Sequence, residues 1–332
     1  MSHIGILGAG SWGTALARSL ILGGHNVTLW SAVEKEILQL QNHRTHPNLP
    51  GMILPEEVRL TGEMTEAIRG MDAVVFAVAS PYVRSTARTA APYFTEGQIV
   101  VDVAKGLEVS SHMTLTEVIA DELSRPGIPL VALCGPTHAE ELALDMPTTI
   151  VAASKDEAAA RYVQSVFSGS ILRVYTNTDV KGVEVCGALK NIVAIAAGLS
   201  DGLGYGDNAK AAIITRGMAE IMRLGSRMGG SKETFTSLAG IGDLIVTCTS
   251  RHSRNYRAGH LMGQGVPPAE AVKQVGMVVE GIHALPAAME LAEKHGVEMP
   301  LCSTVDSIVS GKIEAADALK LRMSRELKTE AE

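Results

Sequence analysis

The sequence predicts an α/β fold: a doubly wound, mostly parallel sheet followed by an all-α C-terminal domain. Three observations carry this. Strand and helix signals alternate through residues 1–178. A glycine-rich turn separates the first strand from the first helix. After Asp179 the strand signals stop and the chain reads as helical to its end. Domains at 1–178 and 179–332 are therefore expected, as a length of 332 residues allows.

Residues 4–7 are a short apolar strand, followed by Gly8-Ala9-Gly10-Ser11-Trp12-Gly13 and a helical run over 14–22. This is G-x-G-x-x-G in its strand–turn–helix setting. Gly8 permits the tight turn, Gly10 lets backbone approach a pyrophosphate, and Gly13 lets helix pack on strand. The helix N-terminus adds N–H donors and partial positive charge. The sheet is thus expected to be Rossmann-like and to bind a dinucleotide. A second strand at 27–30 ends at Ser31, where an acidic residue for a ribose 2′-hydroxyl is usual, with Glu34 a turn later. No arginine occurs between Arg18 and Arg44. NAD and NADP should both serve, with efficiencies within ~10²-fold.

Residues 72–78 form a continuous apolar run of the kind covered on both faces in a parallel sheet. A helix at 82–91, a strand at 99–103, a helix at 113–124 and a strand at 130–133 follow. Strands at 148–153 and 171–175 flank a helix at 156–167. Ligands of such sheets bind beyond the carboxyl ends of the strands. Lys105, Gly135 and Thr137 all follow such ends; Lys105 alone would read as a solvated loop lysine.

Residues 180–200 read as one helix, with Asp179 as N-cap and Gly202 just past its end. Its apolar residues fall all round the wheel, so it should be buried. Lys190 sits mid-helix with Cys186, Gly187, Ala194 and Ala197 around it. Either the cleared face serves a substrate, or the lysine snorkels to the surface. Periodicity leaves both open. An amphipathic run at 209–224 and a glycine-rich connection at 237–243 come next. In Ser250-Arg251-His252-Ser253-Arg254-Asn255, hydroxyl, guanidinium and carboxamide would suit a phosphate; a surface loop or helix cap uses the same residues. Val278-Val279-Glu280-Gly281 opens another helix through 290, and the charged tail 313–332 reads as a surface helix.

Net charge is −7 with no basic block, which argues against a nucleic-acid partner. The N-terminus runs directly into a strand, so no signal peptide is expected. No apolar run is expected to reach the ~18 residues of a membrane span. Four separated cysteines read as buried thiols of a reducing compartment, so the chain is expected to be cytoplasmic. The HxxH spacing of His43 and His46 has no third ligand, and no metal is expected.

The stretches GAGSWGTALA, VFAVAS, AKGLE, CGPTHAEE, GVEVCGALKNIVAIAAG, TRGMAEIMRLG, LAGIGDLIVTCTSRHSRN and VVEG occur in this order. On these the chain resembles the bacterial NAD(P)-dependent sn-glycerol-3-phosphate dehydrogenases over essentially its whole length. The resemblance implies NAD or NADP contacted by Ser11 and Trp12, with Lys105, Ala139, Val278 and Glu280 near it. It implies that a small phosphorylated three-carbon substrate faces Lys105, Gly135, Thr137, Asp243, Ser253 and Asn255. Arg254 would touch both ligands, and Lys190 would be the proton acceptor. The implied reaction interconverts glycerol 3-phosphate and dihydroxyacetone phosphate, supplying phospholipid synthesis, in an enzyme that is usually a homodimer. As a base, Lys190 would need its pKa lowered by burial and by Lys105, with Asp243 orienting both lysines. Two departures stand out: Thr137 replaces the more usual Ser, and Ser31-Ala32-Val33 lacks the basic residue often found there. Two other readings remain: a β-hydroxyacid or sugar-acid dehydrogenase, which gives the Ser253-Arg254-Asn255 cluster no clear role, and a non-catalytic redox sensor, which gives Lys190 none.

Overall fold

Short apolar runs between glycine turns build the first half of the protein, for which a computed structural model describes residues 1–125 and 127–318 of the chain. In order these are β1 (His3–Leu7), α1 (Ser11–Leu22), β2 (Asn26–Trp30), α2 (Glu34–His43), β3 (Arg59–Thr61), β4 (Ala73–Phe76), α3 (Val83–Ala90), β5 (Ile99–Asp102), α4 (Leu115–Leu123), β6 (Leu130–Cys134), α5 (Ala139–Ala143), β7 (Thr148–Ala153), α6 (Glu157–Phe167) and β8 (Leu172–Asn177). The sheet order is β3-β2-β1-β4-β5-β6-β7-β8. Every pairing is parallel except β6 with β7, where Leu133 stands opposite Ala152. Strand order reverses between β1 and β4, which opens a crevice beyond their carboxyl ends.

Alternate residues of the central strands feed two cores. Ile4, Ile6, Val75 and Val101 face one layer of helices, and Leu7, Val74, Phe76 and Val100 face the other. All four residues of β4 are buried, which is why it reads as unbroken apolar sequence. At the edge, β8 alternates instead, burying Leu172 and Val174.

The second half is α7 (Val180–Gly202), α8 (Asp207–Arg227), α9 (Lys232–Phe235), α10 (Asp243–Thr249), α11 (Arg254–Gly263), α12 (Pro268–Val275), α13 (Glu280–Lys294) and α14 (Pro300–Val309). Helix α7 is its axis, with α8, α10, α11, α13 and α14 packed around it. The Asp179 carboxylate accepts from Gly182 N–H (2.8 Å) and Ser231 N–H (2.7 Å); such a cap contributes about 1 kcal/mol. Every residue from 182 to 200 is buried. The expectation that no segment would match a membrane span needs correction. By length and mean hydropathy α7 could cross a bilayer, yet its apolar window is wholly buried in protein, as a core helix requires.

Gly202 also departs from expectation: it is the last helical residue, and Leu203 forms the cap. Its role is close approach. A Cβ on Gly202 would lie 2.2 Å from the His260 carbonyl oxygen of α11, and one on Gly198 2.0 Å from that of Tyr256. Much of the small-residue face of α7 is therefore filled by the backbone of α11. Beside Lys190, Gly187 makes room for the Cys134 thiol and the Lys105 stem. The expected tail helix begins with helical residues 315–318, and the rest of it lies outside the described residues.

Candidate active site

The turn after β1 holds Gly8 at φ +124, where a Cβ would meet the Ala77 carbonyl at 2.6 Å. A Cβ on Gly13 would lie 2.0 Å from the Gly8 carbonyl, whereas nothing stands within 4 Å of the Cβ position of Gly10. The Ser11 hydroxyl, at the first position of α1, is buried without a hydrogen-bond partner. An open cradle, a helix N-terminus and an orphaned hydroxyl fit a dinucleotide pyrophosphate.

From this turn a cleft of about 260 Å³ runs between the sheet and the helices. It is lined on the sheet side by Gly10, Ser11, Trp12, Lys105, Thr137, His138 and Ala139, and on the helical side by Lys190, Asn191, Thr247, Ser253, Arg254, Asn255, Met277 and Glu280. The structure thus brings together most of the sequence-derived site. Gly8 and Gly13 shape the turn from beneath. Gly135 and Asp243 lie behind the lining, and Ser31 and Val278 are outside it, with Met277 lining the cleft one residue before Val278.

Asp243 opens α10 with no solvent exposure. One carboxylate oxygen accepts from Lys190 Nζ at 2.6 Å and the other from Lys105 Nζ at 2.9 Å. Lys190 is only 4% exposed, so it does not snorkel. It also donates to Thr247 Oγ1 at 2.6 Å, and that hydroxyl donates to the Asp243 carbonyl. Lys105 donates further to the Gly135 carbonyl at 2.9 Å, which Thr137 Oγ1 also approaches at 3.2 Å.

Electrostatics separate the two lysines. Burial, with Lys105 adding to it and Asp243 opposing, brings Lys190 down to about 8. For Lys105 burial acts in the same direction, but Asp243 and Cys134 outweigh it and its pKa rises. Burial opposes ionisation of Asp243 too, yet the two ammonium groups hold its pKa below the usual carboxylate range. Such divergence leaves one lysine able to exchange a proton near neutral pH while the other stays charged.

The Ser253-Arg254-Asn255 cluster divides its work. Ser253 is the N-cap of α11, its oxygen accepting from Tyr256 N–H at 3.2 Å. The Asn255 amide donates to Asn191 Oδ1 (2.9 Å) and its oxygen accepts from Gly281 N–H (2.8 Å), so it braces α7, α11 and α13. Among the described residues no hydrogen bond or ion pair occupies Arg254, a guanidinium in the first turn of α11 that faces the cleft. Glu280 takes hydrogen bonds from Ser80 N–H (3.1 Å) and the Ser80 hydroxyl, tying α13 to the end of β4 across the cleft.

Comparison with known proteins gives the family. The family profile described as NAD-dependent glycerol-3-phosphate dehydrogenase N-terminus matches residues 3–160, and that of its C-terminus matches residues 179–320. The chain belongs to this family. It is 55% identical to glycerol-3-phosphate dehydrogenase [NAD(P)+] 2 of Lactobacillus delbrueckii subsp. bulgaricus, covering 99% of both chains. It is 49% identical to glycerol-3-phosphate dehydrogenase [NAD(P)+] of Agathobacter rectalis, over 99% of this chain and 98% of that one. The crystal structure of glycerol-3-phosphate dehydrogenase from Coxiella burnetii superposes with a TM-score of 0.93 at 38% identity, covering 98% of this chain and 99% of that one. A ketopantoate reductase from Ralstonia eutropha, at 15% identity and a TM-score of 0.65, shares the fold alone.

Sequence reasoning did not single out Asn191, Thr247 or His138 as site residues. Thr247 was the accessible one, since it stands four residues after Asp243 and therefore on the same face of α10. Burial, then Lys190 and Lys105, push His138 down to about 4, which keeps its ring neutral beside the two lysines.

Proposed function

We propose that the chain interconverts sn-glycerol 3-phosphate and dihydroxyacetone phosphate, with Lys190 as the proton-transferring group. The observation that carries this is Lys190 Nζ on the cleft wall, clamped by Asp243 and Thr247 and lowered to about 8. The dinucleotide, NAD or NADP, supplies or accepts the hydride at C2. Lys190 in its amine form takes the C2 hydroxyl proton during oxidation, and its ammonium returns one to the carbonyl oxygen during reduction. Asp243 fixes both lysines, and Lys105 stays an ammonium that holds substrate oxygen. Arg254 anchors the phosphate, aided by the partial positive charge at the start of α11. Thr137 and Ser253 offer hydroxyls to the same ligand, and Asn255 keeps α11 in place. Trp12, Ala139 and Glu280 line the cofactor side.

Supplying glycerol 3-phosphate to phospholipid synthesis, a dinucleotide domain over 1–178, a catalytic domain over 179–332, a homodimer and a cytoplasmic setting belong to the same proposal. Four free, buried cysteines support the reducing compartment.

Two results are expected. Oxidation of glycerol 3-phosphate needs neutral Lys190, so its rate should rise about tenfold per pH unit up to about pH 8 and then level; reduction needs the ammonium and should fall above about pH 8. Steady-state rates in both directions from pH 6 to 10 decide this, and limbs of the same sign would exclude Lys190. Arg254→Ala should lower kcat/KM for dihydroxyacetone phosphate by about 10- to 100-fold, mostly through KM, because a charge-assisted contact is worth about 1.5–3 kcal/mol. Unphosphorylated dihydroxyacetone should be little affected; an equal loss on both substrates would remove Arg254 from the phosphate.

A further inference from the structure

At the carboxyl end of β2 the chain builds a small polar cluster that the proton chemistry does not use. Ser31 is 5% exposed. Its oxygen accepts from Val33 N–H at 3.1 Å, and its hydroxyl donates to Glu36 Oε2 at 2.6 Å. Glu36 lies in the first turn of α2, so this bond draws its carboxylate back to the strand end. His46, on the loop after α2, receives Asn48 N–H at Nδ1 (3.1 Å). The Gly8 N–H donates to the Trp30 carbonyl at 2.8 Å, which ties the residue before Ser31 to the glycine-rich turn. The cluster therefore flanks the glycine-rich turn on the side of β2, away from Lys190.

We propose that Glu36, positioned by Ser31, reads the adenosine ribose and makes the non-phosphorylated dinucleotide the preferred one. This rests on the dinucleotide site at the glycine-rich turn. In folds of this kind a carboxylate at the end of the second strand accepts from the ribose hydroxyls. Here Ser occupies that position, and the carboxylate arrives five residues later through a hydroxyl bridge. A 2′-phosphate brought to the same place would meet a like charge. The basic side chains that could offset it are turned elsewhere or flanked by acids. The Arg44 guanidinium donates to the Pro55 and Val58 carbonyls at 3.3 and 3.1 Å. Lys35 stands between Glu34 and Glu36. Glu36 is exposed, so its repulsion acts through partly screened solvent, and the discrimination is ~10-fold rather than absolute.

The test is equilibrium binding, followed by quenching of tryptophan fluorescence with NADH and NADPH, since Trp12 lines the cleft and Trp30 adjoins Ser31. The wild-type protein should bind NADH ~10-fold more tightly than NADPH at low salt, and the ratio should shrink as ionic strength rises. Glu36→Gln should cut the ratio at least fivefold, mainly by tightening NADPH, and should remove most of the salt dependence. Ser31→Ala should give part of the same effect, and Ser31→Thr, which keeps the hydroxyl, should restore the wild-type ratio. Glu36 is on the surface, so Glu36→Gln should fold, and thermal melts check this for it and for the two variants of the buried Ser31. A wild-type ratio at or below one, or a ratio unmoved in Glu36→Gln, would overturn the inference while leaving the dehydrogenase reading intact. Failure of both dinucleotides to bind would overturn the two readings together.

Discussion

Lys190→Met is expected to lower kcat by ~10²- to 10⁴-fold, the usual cost of losing a general acid–base group, while dinucleotide affinity and the melting temperature change little. The substitution keeps an unbranched side chain of similar length inside a buried helix, so packing around α7 is conserved in volume. Asp243 is not abandoned, because Lys105 remains 2.9 Å from its second oxygen, and Thr247 still donates to the Asp243 carbonyl. Lys105 cannot take over the proton transfer. It is held as an ammonium by Asp243 and is fixed to the Gly135 carbonyl. The two lysines differ because of their surroundings: one is lowered toward the working pH and the other is raised away from it. Near-normal kcat in the methionine variant, or a loss explained entirely by weaker dinucleotide binding, would show that Lys190 has only a structural role.

How far the sequence speaks depends on the range over which each signal acts. The sheet half was legible because a strand in a two-sided core must be apolar throughout, as β4 is, and because one six-residue turn holds Gly8 and Gly13, where a Cβ would clash with backbone, and Gly10, which leaves the cradle open. The strand β3 was missed: three residues, Arg59-Leu60-Thr61, at a sheet edge carry no period to detect. The helix α11 was hidden for another reason. Its cap, Ser253, reads equally as a cap or a phosphate ligand, and its small residues, such as Gly259, are chosen for backbone contact with α7 rather than for a hydrophobic stripe. Whether Lys190 snorkels or is buried could not be read from α7 alone, since the answer comes from Asp243, 53 residues later. The same holds for the Asn191–Asn255–Gly281 brace and the Glu280–Ser80 tie, whose partners are separated by up to 200 residues. Local chemistry was therefore readable, and the assignment of each polar group to ligand or scaffold required the tertiary fold.

Asp243→Asn should be strongly damaging although the amide keeps the shape of the carboxylate. The amide leaves Lys105 and Lys190 facing each other in a buried site without a counter-charge, and removing one partner of a buried pair typically costs about 3–5 kcal/mol. The protein has one escape: Lys190, already lowered to about 8, can release its proton and so remove the repulsion between the two ammonium groups. The deficit should then depend on pH in a defined direction. In the variant the folded state prefers neutral Lys190 even more strongly, so between that depressed pKa and the unfolded value of about 10.4 the unfolded chain binds more protons. Stability consequently rises with pH across that window. In the wild-type protein Asp243 has a lowered folded pKa, so its contribution is present at neutral pH and is lost only as acid titrates it below the ordinary carboxylate range. Thermal melts of both proteins at pH 6.5 and 9.5 should show a large gap at the lower pH and a smaller one at the higher. Activity should fall at least ~10²-fold at either pH, because Lys190 loses the group that orients it and stabilises its charged form. A gap of equal size at both pH values would mean that the amide disturbs packing rather than charge balance, and a variant as stable as wild type at pH 6.5 would show that the two ammonium groups are not held together by Asp243 at all.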